Sequence, residues 1–360
     1  MSEVIAEIHG HIGCITLNRP KALNALSLPM IRELSAALLR WQDDPQVLAV
    51  AVRGTGKEGP FGAFCAGGDI RFFHQAAHAG DTALGDFFTE EYALNHLIHT
   101  YKKPYIAFMD GIVMGGGMGI SQGASVRVVT ERTKMAMPET HIGLFPDVGG
   151  GYFLSRCPGK LGEYLGLSGL QLSGPQAVAA KLADIALPSS MLEPIWAKLT
   201  SSPFENSEAV ERWVLAQPGS MAPEKLAPQP QIDTVFGLPT VQAMLEALEA
   251  ASDEWSQKTA QTLRGRSPLM LHVVLEQIRR ARQTSLAEDL RMERDMVHHC
   301  FHLRAVADSD TVEGIRALAV DKDHHPNWKP ARVEEVDADE VARFFVSPWP
   351  FDHHPLRHLA

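Results

Sequence analysis

The first fifty residues alternate between short apolar runs and polar breaks, an order that predicts strands followed by a helix. Apolar residues dominate 4–8 and 12–17, and each run has the length of a strand. From 28–39 the apolar residues recur at helical spacing, and a fully apolar run follows at 47–52. Strands buried on both faces read as continuous apolar runs, so this segment favours a parallel sheet.

The same order recurs over the next hundred residues. A helical pattern covers 87–99, a strand is predicted at 105–110, and a glycine-rich stretch occupies 111–119. Another strand is predicted at 126–130, before the segment 135–146. Alternation of strands and helices predicts an α/β fold.

Beyond about residue 190 the pattern becomes helical, interrupted by a proline-rich stretch at 217–231. Ser267-Pro268 is typical of a helix start, and an amphipathic run to Arg282 follows it. We therefore expect a catalytic α/β core over 1–200. A mostly helical region over 201–360 would cover the active site or a subunit interface.

Composition narrows the range of functions. The 360 residues carry 33 Lys and Arg against 43 Asp and Glu, a net charge of −10, so a nucleic-acid partner is not expected. No segment has the length and apolar character of a membrane span, so no membrane association is expected either. The scattered cysteines indicate a reducing compartment, and the acidic start lacks a targeting pattern, so we expect a cytoplasmic protein.

The first candidate for chemistry is Ala66-Gly67-Gly68-Asp69, between an apolar strand and a predicted helix. Small residues let backbone N–H groups point at a ligand oxygen without interference from side chains. A tight turn that needs glycine and does nothing else is the alternative.

The second candidate is Gly115-Gly116-Gly117, within another strand-glycine-helix segment. It has neither the G-x-G-x-x-G spacing of a dinucleotide site nor the G-K-[ST] of a phosphate loop. Two donor-rich bends on one chain suit the stabilisation of a thioester oxyanion by a pair of backbone N–H groups.

The third candidate is a pair of carboxylates, Glu139 and Asp147, in an apolar and glycine-rich context. A poorly solvated carboxylate has a raised pKa and can act as a general acid, base or nucleophile. Alternatively, Glu139 caps a helix start and Asp147 caps a turn.

These three stretches, in order and spacing, resemble the crotonase (enoyl-CoA hydratase/isomerase) superfamily. The resemblance implies a spiral of ββα turns, assembly as trimers or paired trimers, and binding of acyl-CoA substrates. It places the two oxyanion-hole N–H groups at Gly68 and Gly116. It also makes Gly67, Ala66 and Gly115 neighbours of the substrate, together with Asp69 and Lys21. A surface lysine without a ligand is the other interpretation of Lys21.

One position departs from the family pattern. Hydratases of this superfamily carry two catalytic glutamates, and this chain has Gly119 where the first would stand. Syn addition of water uses the pair to orient one water molecule, so the single remaining Glu139 argues against simple hydration.

The 3-hydroxyisobutyryl-CoA hydrolase branch is similar in more detail, with matching runs at 137–140, 143–154 and 159–162 and a matching tail. This resemblance implies that Glu139 and Asp147 are the catalytic carboxylates. It implies a substrate contact at Glu91, for which Glu90 is the competing residue.

The resulting hypothesis is hydrolysis of a short 3-hydroxyacyl-CoA, as in valine degradation. Glu139 would attack the thioester or activate water, and Asp147 would hold the substrate hydroxyl or the water. An anhydride intermediate and direct attack by water both remain open. The alternatives are an enoyl-CoA hydratase/isomerase acting on a related thioester, and a non-catalytic acyl-CoA-binding protein.

Other expectations follow from the same comparison. We expect no cofactor, since coenzyme A is part of the substrate, and a homo-oligomer is a possible assembly. We expect no metal, because the cluster His298-His299-Cys300-x-His302 lacks the second pair of ligands that a closed site needs. His353-His354 is expected at the surface.

Overall fold

A computed structural model describes residues 2–226 and 228–360. Its strands are β1 (Val4–His9), β2 (Ile12–Leu17), β3 (Ala49–Gly54), β4 (Tyr105–Met109), β5 (Ile112–Met114), β6 (Val126–Val129), β7 (Lys134–Ala136) and β8 (Ile185–Ala186).

Helices make up most of the remaining regular structure. They are α1 (Leu28–Gln42), α2 (Ile70–Ala79), α3 (Ala83–His99), α4 (Gly116–Gln122), α5 (Gly150–Leu154), α6 (Leu161–Ser168), α7 (Gly174–Ala179), α8 (Leu192–Ser201), α9 (Ser207–Leu215), α10 (Gln229–Val235), α11 (Val241–Ala250), α12 (Glu254–Arg264), α13 (Pro268–Ala281), α14 (Leu286–His302), α15 (Asp310–Ile315) and α16 (Ala338–Arg343). Short 3-10 turns include Pro20–Ala22 and Glu139–Ile142. No described helix is both long enough and apolar enough for a membrane crossing.

The described residues form two compact units that alternate along the chain. The first contains 2–68, 93–136 and 171–226, and the second contains 69–92, 137–170 and 228–360. The expected division near residue 200 stays a prediction.

The first unit is built on a sheet with the strand order β1-β2-β3-β4-β6-β8. Its β1–β2 pair is antiparallel and the other pairs are parallel, while β5 and β7 form a separate parallel pair. Alternate side chains of β2, β3, β4 and β6 pack against α8 and α9 in one apolar cluster. Trp41 of α1 packs over Gly13, where a Cβ would lie 2.5 Å from the indole.

The second unit is helical. Its longest helices begin at side-chain caps, since Ser267 accepts from Met270 N at the start of α13 and Ser285 forms a capping box with Glu288 at the start of α14. The apolar face of α13 packs against α5 and α6. These helices therefore surround the short segments that carry the candidate carboxylates.

The α/β class is confirmed, and the predicted segment 12–17 is strand β2 with the same bounds. Some predicted bounds were wrong. The strand predicted at 47–52 is Ala49–Gly54, and the helix predicted at 87–99 begins at Ala83. The glycine-rich stretch 111–119 contains β5 and the start of α4, because three apolar residues between glycines are too few to show a period.

Candidate active site

Two glycine-rich bends lie side by side in the first unit. Cys65 and Val113 form a parallel bridge, and Met114 N donates to Cys65 O at 3.0 Å. A Cβ on Gly67 would lie only 3.6 Å from the backbone nitrogen of Gly116. The structure thus brings together the two motifs that the sequence analysis selected.

The backbone of these bends leaves N–H groups available to a ligand. Gly116 is the first residue of α4, and N–H groups in a first turn have no intrahelical acceptor. The preceding Gly115 has φ 49° and ψ −121°, a conformation that residues with a Cβ avoid. In the bridge between Gly68 and Leu26, Leu26 N donates to Gly67 O at 2.7 Å, and this bond does not use the Gly68 N–H. The oxyanion role of Gly68 and Gly116 stays a prediction.

Asn24 anchors the first glycine bend, a role that the sequence analysis missed. Its side chain is buried and its Nδ2 donates to three main-chain oxygens, those of Thr55, Ala63 and Phe64, at 3.1, 2.9 and 3.1 Å. Buried amides are hydrogen-bonded in this way, so Asn24 fixes the path of the loop that leads to Gly68.

Lys21 and Ala66 belong to touching segments of the first unit. Lys21 is exposed within the 3-10 turn Pro20–Ala22, and Ala66 N donates to Leu23 O at 3.0 Å. A contact between Lys21 and substrate stays a prediction.

In the second unit, Asp69 caps α2. Its carboxylate accepts from Phe72 N at 3.4 Å, the ordinary role of Asp before a helix. A contact between Asp69 and substrate stays a prediction.

Three carboxylates from separate segments lie close together in the second unit. Glu91 of α3 is 2% exposed, while Glu139, in the turn Glu139–Ile142, and Asp147, just before α5, are each 6% exposed. The charges of Asp147 and Glu139 act on Glu91. Glu90 is only half-buried, so Glu91 is the residue of the pair that joins the cluster.

Burial and mutual repulsion raise the pKa values of these acids. Burial raises the pKa of Glu139 well above its usual range, and the charge of Asp147 raises it further. The pKa of Glu91 is raised in the same way, by burial first and then by Asp147 and Glu139. Burial raises the pKa of Asp147 to about 7, although a hydrogen bond from Tyr92 opposes the rise. Such a cluster titrates as a unit and can exchange protons near neutral pH.

Two oxygens of the cluster have no hydrogen-bond partner among the described residues. They are Glu91 Oε1 and Glu139 Oε2, both buried. Asp147 differs, since its Oδ2 accepts from the Tyr92 hydroxyl at 2.8 Å. Leaving a buried acceptor unpaired costs roughly 1–3 kcal/mol, so these oxygens are available to a substrate hydroxyl or a water molecule.

The main chain after Asp147 has an unfavourable conformation. Val148 has φ 58° and Gly149 has φ 85°, both left-handed. For a β-branched residue this conformation is an outlier and costs on the order of 1–3 kcal/mol. It persists only where the surroundings impose it.

Two C-terminal helices supply that constraint. Glu293 of α14 accepts from Gly149 N at 2.7 Å and from Gly151 N at 3.0 Å. Gln277 of α13 donates to Pro146 O at 2.7 Å and to Glu293 Oε1 at 3.0 Å. The Asp147 loop is therefore bound from both ends by side chains of the C-terminal region.

The sequence analysis missed Tyr92, Gln277 and Glu293. For Tyr92 the only sequence signal is its place directly after Glu91, since its burial and its bond to Asp147 appear only in the structure. Glu293 could not have been found, because it lies 144 residues from Gly149 and its helical segment has an ordinary amphipathic pattern.

The histidines of α14 are arranged as ring contacts. His298 and His302 have centroids 4.4 Å apart, and His299 Nε2 lies 2.7 Å from Val346 O. Within the described ranges no group of three or more His, Cys, Asp or Glu side chains could hold a metal, and the absence of a metal stays a prediction. The surface position expected for His354 was wrong, since it is 4% exposed and packs 3.2 Å from Asp295.

Known proteins with similar sequences and structures show the family of this chain. A sequence model described as enoyl-CoA hydratase/isomerase matches residues 12–345. The chain belongs to the enoyl-CoA hydratase/isomerase family. The predicted crotonase-like fold is confirmed by two solved structures that share 36% identity with the chain.

The first of these is a carnitinyl-CoA dehydratase from Mycobacterium thermoresistibile, with a TM-score of 0.87 over 97% of this chain and 98% of the other. The second is an enoyl-CoA hydratase from Rhodobacter sphaeroides, with a TM-score of 0.86 over 96% and 98%. A curated relative from Xenopus tropicalis, a mitochondrial 3-hydroxyisobutyryl-CoA hydrolase, is 41% identical over 94% of this chain and 87% of its own length.

The expectation of a cytoplasmic protein was wrong, because similar curated relatives from Xenopus tropicalis, Gallus gallus and Mus musculus are named as mitochondrial. The four cysteines are buried and free, which agrees with a reducing compartment. Free cysteines do not distinguish one reducing compartment from another.

Proposed function

We propose that this family member hydrolyses 3-hydroxyisobutyryl-CoA to 3-hydroxyisobutyrate and free coenzyme A. The observation that carries the proposal is the buried cluster of Glu91, Glu139 and Asp147, with its raised pKa values and two unpartnered oxygens. The name of the Xenopus tropicalis relative supports the same reaction.

Each group of residues has its own task in this proposal. The N–H groups of Gly68 and Gly116 stabilise the negative charge that develops on the thioester oxygen, a contribution of about 10²–10³ in kcat per donor in comparable enzymes. Glu139 either attacks the carbonyl carbon, giving an anhydride that water then cleaves, or takes a proton from the attacking water. Either route consumes one water molecule and releases the coenzyme A thiol.

Selectivity for a 3-hydroxyacyl group follows from the buried acceptors. Asp147 and Glu91 present carboxylate oxygens from which water is largely excluded. A substrate hydroxyl would donate to one of them, whereas a substrate without it would leave that oxygen unpaired. Sites built to bond a hydroxyl reject the deoxy analogue strongly for this reason.

Hydration or dehydration of an enoyl-CoA is the second candidate, favoured by the titles of the two solved structures. The residue at position 119 weighs against it. Gly119 lies buried in α4 and offers no carboxylate, so the pair of glutamates with which hydratases of the resembled family orient water is incomplete.

The proposal includes no cofactor, since coenzyme A enters with the substrate. Assembly into a homo-oligomer is proposed on the family resemblance alone. Sedimentation of the purified protein would test it.

The decisive experiment is thiol release from four thioesters: 3-hydroxyisobutyryl-CoA, 3-hydroxypropionyl-CoA, isobutyryl-CoA and crotonyl-CoA. We expect fast release from the two hydroxyacyl thioesters and a kcat lower by about 10²–10⁴ in Glu139→Gln, the range for loss of a general acid or base. Consumption of crotonyl-CoA without thiol release would contradict the hydrolase and support the hydratase.

Glu163→Gln is the matched control. Glu163 is also a fully buried glutamate of the second unit, but it pairs with Arg282 at 2.6 Å and Lys160 at 3.3 Å. We expect this variant to lose stability and to keep the turnover of the wild type.

A further inference from the structure

The loop that carries Asp147 forms a concave cradle of backbone N–H groups. Val148 and Gly149 are both left-handed, and the N–H groups of Gly149 and Gly151 converge on one carboxylate, that of Glu293. Backbone N–H groups that converge at a turn make a binding site for an anion. Here the anion site is filled by a side chain of the protein itself.

Glu293 has the geometry of a support for this loop. Each of its oxygens receives a different N–H group, and Gln277 donates to one of them while also donating to Pro146 O. The bonds therefore hold the chain on both sides of Asp147. Glu293 is fully buried, so solvent cannot replace them.

A neighbouring acid shows how closely the loop fits this helix. Asp289 of α14 accepts from Tyr152 N at 2.8 Å, and a Cβ on Gly151 would lie 2.7 Å from Asp289 Oδ1. Any larger residue at 151 would push the loop away from α14.

The residue after Glu293, Arg294, contacts the helix that carries Glu91. Arg294 Nε donates to Thr89 Oγ1 at 3.0 Å, on α3 two residues before Glu91. One helix turn of α14 thus contacts both the Asp147 loop and the helix that carries Glu91.

We propose that Glu293 is a positioning residue for Asp147: by binding the N–H groups of Gly149 and Gly151, it fixes the strained backbone that aims the Asp147 carboxylate. The inference rests on the proposed function only in assigning Asp147 a task in turnover. Glu293 itself touches no reacting atom, and its effect passes through Asp147.

A double-mutant cycle between Glu293→Gln and Asp147→Asn tests this. The amide of Gln turns an NH2 group toward one of the backbone N–H groups, which breaks one support while keeping the size of the side chain. Displacement of a reacting group by about 1 Å can cost about 10²-fold in rate. We expect Glu293→Gln to lower kcat at least about tenfold in the wild-type background and less than about twofold beside Asp147→Asn.

The selectivity between 3-hydroxyisobutyryl-CoA and isobutyryl-CoA gives a second readout. If Glu293 positions Asp147, Glu293→Gln should reduce the ratio of kcat/KM for 3-hydroxyisobutyryl-CoA to kcat/KM for isobutyryl-CoA, as Asp147→Asn does. Glu293→Asp keeps the charge but is one methylene shorter, so we expect partial recovery. Equal losses of kcat in both backgrounds, or an unchanged ratio, would overturn the proposal.

Two further variants keep the test decisive. Glu163→Gln should combine additively with Asp147→Asn, because it removes a buried charge without touching the loop. Should Glu293→Gln fail to fold, Gln277→Met removes the donors to Pro146 O and Glu293. We expect Gln277→Met to lower kcat more in the wild-type background than beside Asp147→Asn, with a smaller loss than in Glu293→Gln. If Gln277→Met lowers kcat by the same factor with and without Asp147→Asn, the proposal is contradicted.

The cycle is run on the thioester that the wild type consumes fastest, whether by thiol release or by hydration. Failure of the proposed function appears in the wild type alone, as absence of thiol release. Failure of the present inference appears only in the comparison between variants.

Discussion

The two units contribute opposite kinds of chemistry. The glycine bends of the first unit offer neutral backbone donors, set by local turns and by close contact between residues 65–67 and 113–116. The carboxyl groups of the second unit are ionisable side chains from separate segments, and burial raises their pKa values. The position of a backbone donor depends on the local path of the chain, whereas the pKa of each acid depends on its burial and on the charges around it.

This difference determines how each region should respond to mutation. A donor bend should fail when its main chain is moved by a single added atom. The acid cluster should respond to changes in charge and hydrogen bonding, including the bonds that hold the Asp147 loop.

Among variants that leave Glu139 in place, the largest loss of kcat is expected from Gly67→Ala. At φ 104° the alanine would be strained, and its Cβ would lie 3.3 Å from Met114 O, so the two bends must separate. We expect kcat to fall about 10²-fold, as for loss of an oxyanion donor.

Gly80→Ala is the matched control, because Gly80 also has positive φ, 63°, but has no atom within 4 Å of the added Cβ. It should cost roughly 1 kcal/mol in stability and leave turnover within about twofold. Thiol release and thermal unfolding separate the two, and equal kinetic losses would show that the close contact at Gly67 is not needed for turnover.

The next effect concerns stability and pH. Because the native pKa of Asp147 is raised from 3.8 to about 7, the folded protein holds more protons than the unfolded chain between these values. Stability should therefore fall as pH rises through this window. Asp147→Asn has no such charge to bury. Between pH 5 and 8 its free energy of unfolding should therefore decline less than that of the wild type, and the difference should be roughly 1–3 kcal/mol.

Denaturant unfolding of both proteins across this pH range gives the measurement. Other buried acids, such as Asp289 and Asp310, remain in both proteins. The difference between the curves therefore reports Asp147 together with the effect of its charge on the pKa values of Glu91 and Glu139. Parallel curves would mean that Asp147 titrates alike in the folded and unfolded chains.

The smallest effect is expected from Tyr92→Phe. The Tyr92 hydroxyl bonds the ionised form of Asp147 and lowers its pKa, so its removal should raise that pKa. The acidic limb of the kcat/KM profile should move to higher pH, with a loss of about threefold at neutral pH.

Tyr101→Phe is its control, since that hydroxyl donates to Leu38 O in the first unit. It should cost stability and leave the pH profile unchanged. A shift of the same size in both variants would mean that the Tyr92 bond has no specific role in setting the charge of Asp147.

Sequence reasoning performed best where structure is local. Strand β2 and the cap of α13 at Ser267 follow from residues within one element. The proximity of the two glycine bends is not local, and the family resemblance, rather than spacing, indicated it. Glu139 and Asp147 could be selected because they stand in a run without other charges.

The rest depends on long-range packing. No periodicity reveals that Glu293 bonds Gly149, or that Tyr92 bonds Asp147 across 55 positions. Strand β5 was missed for a different reason, since Ile112–Met114 is too short for alternation to be visible.

The bonds from α13 and α14 to the Asp147 loop also limit how this protein can be recombined with its relatives. A crossover between residues 152 and 277 would join a loop from one parent to helices from another, and the acceptors for Gly149 and Gly151 would then depend on chance agreement between them. Shuffled libraries should therefore exchange 146–152 together with 277–293 as one inseparable block. The helices that carry Gln277 and Glu293 are thus constrained by the same bonds as the segment that holds Asp147.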